Sequence, residues 1–142
     1  MKTLLMAFYL LSALSLVSCK QEFEPVDYGH DACMHCRMTI IDKRFAAEIL
    51  TRKGKAYKFD DLGCLLKYMS ENKLQNSDAR IFVANYSDPS TPFLDAHAAF
   101  YIHNEALKTP MNGNYAAFSN EKDALIPGDN AHETSLKWGD LK

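Results

Sequence analysis

The chain has no surplus of basic residues. Lys2 is the one charged residue among the first eighteen. Over residues 19–142, 15 Lys and Arg stand against 18 Asp and Glu, a formal charge of −3. That excludes a nucleic-acid module built on a basic surface. Cysteine is scarce, and after Cys19 it is odd in number, with Cys33, Cys36 and Cys64. An odd count does not suit the closed disulfide framework of a small secreted domain, and it leaves at least one thiol for another task. The sequence has no second C-x-x-C, no nucleophile elbow and no catalytic motif paired with a base, so an enzyme is disfavoured. It also lacks low-complexity segments. Residues 19–142 are enough for one compact domain with its own core.

The apolar run from Leu4 to Val17 is short for a membrane-spanning helix, which needs about 20 residues. With Lys2 in front and Leu16-Val17-Ser18-Cys19 behind, it has the layout of a bacterial secretory signal. The closing tetrad resembles the lipobox of lipoproteins, in which the Cys becomes the new N-terminus and is acylated. Residues 1–18 are then a signal peptide, and residues 19–30 a lipid anchor and tether. Two or three acyl chains on Cys19 make a stable anchor. The domain, residues 31–142, would sit in the cell envelope facing the periplasm. Lys20 in place of Asp after the Cys points to the outer membrane in a Gram-negative cell. An ordinary signal cut near Cys19, or an N-terminal membrane helix, is the competing reading.

From Lys20 to His30 the chain is polar and aperiodic, and fully extended it would reach roughly 35 Å. Met38 to Ile41 and Phe45 to Leu50 then read as strand, and Arg52-Lys53-Gly54 as a turn. Lys55 to Phe59 alternates in the manner of the second strand of a hairpin. Leu62, Leu65, Leu66 and Met69 fall on one helical face, with Asp60 or Asp61 as the cap. Ala79 to Tyr86 is a strand. The second half echoes this order: Pro92 to His103 as strand, a turn at Lys108 to Asn114, a short strand at Tyr115 to Phe118, and a capped helix opening at Ser119 or Asn120. Thr134 to Leu141 closes as strand or turn. The class is α+β with mainly antiparallel sheet, arranged as two small ββαβ units packed together.

What is present in excess is soft donors. Cys33, Met34, His35, Cys36 and Met38 fall within six positions. Cys33-x-x-Cys36 admits four readings. Thioredoxin-like redox chemistry needs a helix N-terminus after a strand, and here the pair follows a tether. A structural disulfide is permitted by the compartment. Zinc could take Cys33, Cys36, Cys64 and a fourth ligand such as His35. Cu(I) favours thiolate and thioether and accepts two or three ligands. Met38 is either core filler at a strand start or a thioether donor. Met111 sits in a turn between Pro110 and Gly113, where something must hold it, either a packing pocket or a metal.

"CMHCRM" with its C-x-x-C-x-M spacing, "YKFDDLGCLLKYM" and "TPMNGNYAAF", in this order behind a lipobox, resemble the NosL family. These are copper-binding lipoproteins that assist assembly of the copper centres of nitrous-oxide reductase. The resemblance runs from about Ala32 to the C-terminus. It implies a Cu(I) chaperone outside the cytoplasm, partnered by nitrous-oxide reductase and its membrane transporter-type assembly proteins, and a fold of two ββαβ units related to organomercurial lyase. It also implies Cys33, Cys36, Met38 and Met111 as copper ligands, with Cys64 and His35 behind them. Arg37 stands where the family often has Gly. Asp60 and Asp61 read as helix capping, and His97 and His103 as ordinary strand residues. The alternative function is a zinc-stabilised or disulfide-linked extracytoplasmic binding module.

Overall fold

The computed structural model describes residues 23–74, 78–91, 93–124 and 135–141. The signal, the lipobox and Cys19 lie outside the described residues. Strands β1 (Ala47–Leu50) and β2 (Ala56–Phe59) form an antiparallel hairpin, with Ala47 opposite Phe59 and Leu50 opposite Ala56. Its turn is closed by the Thr51 amide donating to the Lys55 carbonyl (2.9 Å) and by Gly54 at φ 78. Helix α1 (Leu62–Glu71) follows, and β3 (Arg80–Val83) returns to pair with β1. The two-residue β4 (Leu94–Asp95) adds to β3, for a sheet order β2-β1-β3-β4.

Period-two alternation gives this sheet two working faces. Ala47, Ile49, Phe59, Ile81 and Val83 meet Leu62, Leu65 and Met69 of α1 in the larger core. The other face carries Glu48, Lys58 and Phe82, which sit opposite one another in the register. Phe23 to Pro25, within the stretch assigned above to the tether, is seated on this second face. Phe23 packs on Phe82 and Phe93 with ring centroids at 5.5 and 4.7 Å. Lys58 Nζ binds the Glu24 carboxylate, the Pro25 carbonyl and the Asp31 carboxylate at 2.8–3.0 Å. With both faces covered, all four residues of β1 are buried.

The second half is a smaller copy. Strands β5 (Phe100–His103) and β6 (Tyr115–Phe118) pair as a hairpin, followed by the one-turn helix α2 (Glu121–Ala124). Leu136 then bridges back to Tyr101 of β5 through bonds of 2.8 and 2.9 Å, before a 3-10 turn at Trp138–Asp140. In each half the last segment returns to the first strand of its own unit, the ββαβ order expected. Ile102, Ala116 and Phe118 close a second core with Phe45 and Leu107, while Tyr101 and Ala117 face the first.

Two strand expectations fail locally. The expected strand from Pro92 to His103 breaks into β4 and β5, because the Asp95 carboxylate and carbonyl take the amides of His97, Ala98 and Ala99 and turn the chain. Met38 to Ile41 contributes a single bridge, Ala32 to Thr39, and not a strand. Among the described residues no helix is long and apolar enough to cross a membrane.

Candidate metal centre

The soft-donor stretch folds as a tight turn. The Cys33 amide donates to the Met38 carbonyl (2.8 Å), and the Arg37 amide to the Cys33 carbonyl (3.0 Å). The Met34 amide donates to the Lys58 carbonyl (2.8 Å), which fastens the turn to β2. Arg37 adopts φ 68, the left-handed region that glycine enters without a Cβ penalty. A glycine would therefore suit this position better, in keeping with the Gly that the family pattern often has there.

The β2–α1 junction supplies the other wall. Asp61 is the helix cap, its Oδ1 accepting from the Cys64 amide at 2.8 Å. Asp60 is thereby free of the capping task, and its side chain points to the turn, where Oδ2 accepts from the Cys36 thiol at 3.4 Å. The sulfurs of Cys33, Cys36 and Cys64 and one oxygen of Asp60 lie within 4.8 Å of one another. Cys33, Asp60 and Cys64 are buried and Cys36 is half-buried, which leaves one open edge. All three described cysteines are free thiols.

Four acidic groups share this pocket, and the largest influences on the three thiols are one another, burial, Asp60 and nearby backbone. Their protons divide unequally. The Cys64 thiol donates to Cys33 and, with backbone amides, pulls the Cys33 pKa down to about 6. Burial, together with the Cys33 thiolate and Asp60, pushes Cys36 up to about 11. The bond to Cys33 and burial raise Cys64 well above the ordinary thiol range. Cys33 is thus the thiol most inclined to ionise, and a metal cation must displace protons to recruit the others. Asp60 Oδ1 is buried without a hydrogen-bond partner. Leaving such an atom unsatisfied costs about 1–3 kcal/mol. An anionic, sulfur-rich pocket with an orphaned oxygen fits a thiophilic metal ion.

The remaining sequence-derived ligands are placed differently. The amides of Met111 and Gly113 donate to Asp61 Oδ2 at 3.0 and 3.4 Å, so a segment about fifty residues away is seated on the first turn of α1. The seat is backbone on backbone. A Cβ on Gly63 would lie 2.7 Å from the Gly113 Cα. Met111 itself is half-buried against the larger core, next in space to the residue that follows Asp60. Met38 is 56% exposed on the loop beyond the turn. His35 Nδ1 is 3.4 Å from the carboxylate of Glu71, the last residue of α1. Asp60, which the sequence suggested as a cap, is the member of the cluster not named as a ligand above. The sequence did offer one clue, since of two adjacent acids at a helix start only one is needed for the cap. Cys64, placed above in the second rank, stands in the cluster.

The NosL family model matches residues 27–126, which span the turn, the β2–α1 junction and the Met111 segment. The chain belongs to the NosL family. A crystal structure described as the copper chaperone NosL from Shewanella denitrificans superposes on it with a TM-score of 0.69 at 18% identity, covering 85% of this chain and 96% of that one. At that identity the likeness is one of fold, and it confirms the α+β, antiparallel architecture of this NosL-family chain. No curated protein matches it.

Proposed function

We propose that this NosL-family chain is a non-enzymatic Cu(I) carrier. In this reading it is anchored in the cell envelope, facing the periplasm, by lipid on Cys19 and passes copper on for assembly of the copper centres of nitrous-oxide reductase. The observation that carries the reading is the convergence of three free thiols in one pocket. Copper is the cargo. Cys33, already inclined to the thiolate, makes the first bond, and a second sulfur joins as its proton leaves. Cu(I) is content with two or three soft ligands, so an acceptor's sulfur or imidazole can enter before the donor's ligands depart. Cys36, on the half-buried side, is the edge at which exchange begins. The Met111 thioether, on a segment whose backbone is bonded to the Asp61 cap, and the exposed Met38 thioether supply further soft donors for loading and release.

The test is a competition titration of the reduced full chain against a chromophoric Cu(I) chelator, followed by transfer to the apo-reductase. One Cu(I) per chain, lost when Cys33 and Cys36 are oxidised to a disulfide, is the expected result. A chain that binds no Cu(I) when reduced rules out the carrier. Cys19→Ala should leave the membrane fraction, and labelled fatty acid on that variant would exclude the anchor.

A further inference from the structure

For a Cu(I) site, Asp60 is one donor too many. Three thiols already meet or exceed what monovalent copper takes, and a carboxylate oxygen is a poor match for so soft an ion. Yet the Asp60 side chain is 2% exposed, has given up the helix cap to Asp61, takes the Cys36 thiol on Oδ2, and presents a buried Oδ1 with no partner. A divalent ion of the zinc class would use that oxygen. Zinc is bound tetrahedrally by thiolate at about 2.3 Å and by carboxylate at about 2.0–2.2 Å, which puts its donors about 3.5–3.8 Å apart. The four donor atoms here are already within 4.8 Å of one another, so a contraction of about 1 Å closes the shell. The charge points the same way. Three thiolates and a carboxylate within 4.8 Å of one another are better offset by two positive charges than by one.

We propose that Cys33, Cys36, Cys64 and Asp60 form a four-donor site for a divalent thiophilic ion of the zinc class, with Asp60 the ligand that serves the divalent ion and not copper. The inference rests on the reading of this pocket as the metal site and adds a second cargo class to it. The two ions use the same sulfurs and exclude one another. Entry of Cu(I) releases the divalent ion and frees the carboxylate, with no change of oxidation state. A divalent ion also holds the sulfurs in place and blocks formation of the Cys33–Cys36 disulfide while copper is absent.

The experiment uses the reduced full chain in detergent, with zinc and Cu(I) affinities measured by chelator competition for the unmodified protein and for Asp60→Asn, which keeps the side-chain shape and removes the charge. The expected result is a loss of at least about tenfold in zinc affinity, the scale of effects seen when a metal site loses one supporting group, with Cu(I) affinity held within about threefold. Retained Cu(I) binding reports that the variant is folded. If Asp60→Asn does not fold, the unmodified chain loaded with cadmium-113 serves instead, and its resonance should be that of three sulfurs and one oxygen. Unchanged zinc affinity in Asp60→Asn, or a cadmium site of four sulfurs, overturns the proposal. Asp60-dependent zinc binding in a chain that binds no Cu(I) supports it, and removes only the copper-carrier reading.

Discussion

Gly63→Ala sets two effects of opposite sign against each other. Gly63 is in the first turn of α1, where alanine is the better helix former by roughly 1 kcal/mol. On propensity alone the variant gains stability. The added methyl, however, lies 2.7 Å from the Gly113 Cα and 3.3 Å from Asp61 Oδ1, and the first of these is backbone that has no rotamer with which to step aside. To reach an ordinary contact of about 3.5 Å, the Met111–Gly113 segment must retreat by nearly 1 Å. The Gly113 bond to Asp61, already 3.4 Å, is then lost, and the Met111 bond at 3.0 Å stretches past its useful range. Overpacking costs about 1–3 kcal/mol, and a hydrogen bond to a charged group about 1.5–3 kcal/mol. Against the propensity gain, the net prediction is a loss of about 2–4 kcal/mol. For a domain of this size that is on the order of 10 °C or more in melting temperature. The assay is urea unfolding of the reduced, metal-free protein with Cu(I) affinity on the same sample, and copper should weaken as Met111 moves. Equal or raised stability would refute the reasoning, because helix propensity would then have outweighed the backbone contact.

Arg37→Gly should stabilise the metal-free protein by about 0.5–1 kcal/mol, since it removes a Cβ from a φ of 68 at some cost in unfolded-chain entropy; a lower urea midpoint would show the turn to be unstrained. Met111→Ala should weaken Cu(I) binding and cost about 1–2 kcal/mol, between surface and core values because the side chain is half-buried against the larger core; unchanged affinity with a larger loss would make Met111 structural. Glu48 gives a pH effect. It is buried on the sheet face beneath Glu24, among Asp31 and Lys58, and burial raises its pKa to about 7. A carboxyl raised in the folded state binds more protons there than in the unfolded chain between about pH 4.5 and 7, so its contribution to stability falls as pH rises through that window. Glu48→Gln should therefore gain on the order of 2 kcal/mol over the parent at pH 8 and little at pH 4.5. Cys33 titrates identically in both proteins and cancels in the difference, and parallel stability–pH curves would refute the assignment.

Much of the fold was legible in the sequence because the signals were local. The turn at Arg52 to Gly54, the 3.6-residue period of Leu62, Leu65 and Met69, and the Asp before them needed no distant partner, and β1, β2 and α1 formed accordingly. Where a distant or competing partner decided, the sequence misled. Asp95 turned the chain where apolar residues promised a continuous strand, and Phe23 to Pro25 found a sheet face where polarity suggested a free tether.

The same division runs through the site. By itself the sequence determined that soft donors crowd between Cys33 and Met38, because spacing within six residues survives any folding of the rest. Only the tertiary structure decided which other groups join them. Cys64 and Asp60 reach the turn because the Met34 amide fastens it to β2, and β2 ends in Asp60 one residue before the helix cap. Met111 reaches the same helix because two glycines lacking side chains let two backbones touch. Donor chemistry is a property of residue types, whereas a coordination shell is a set of distances between segments that only packing brings together.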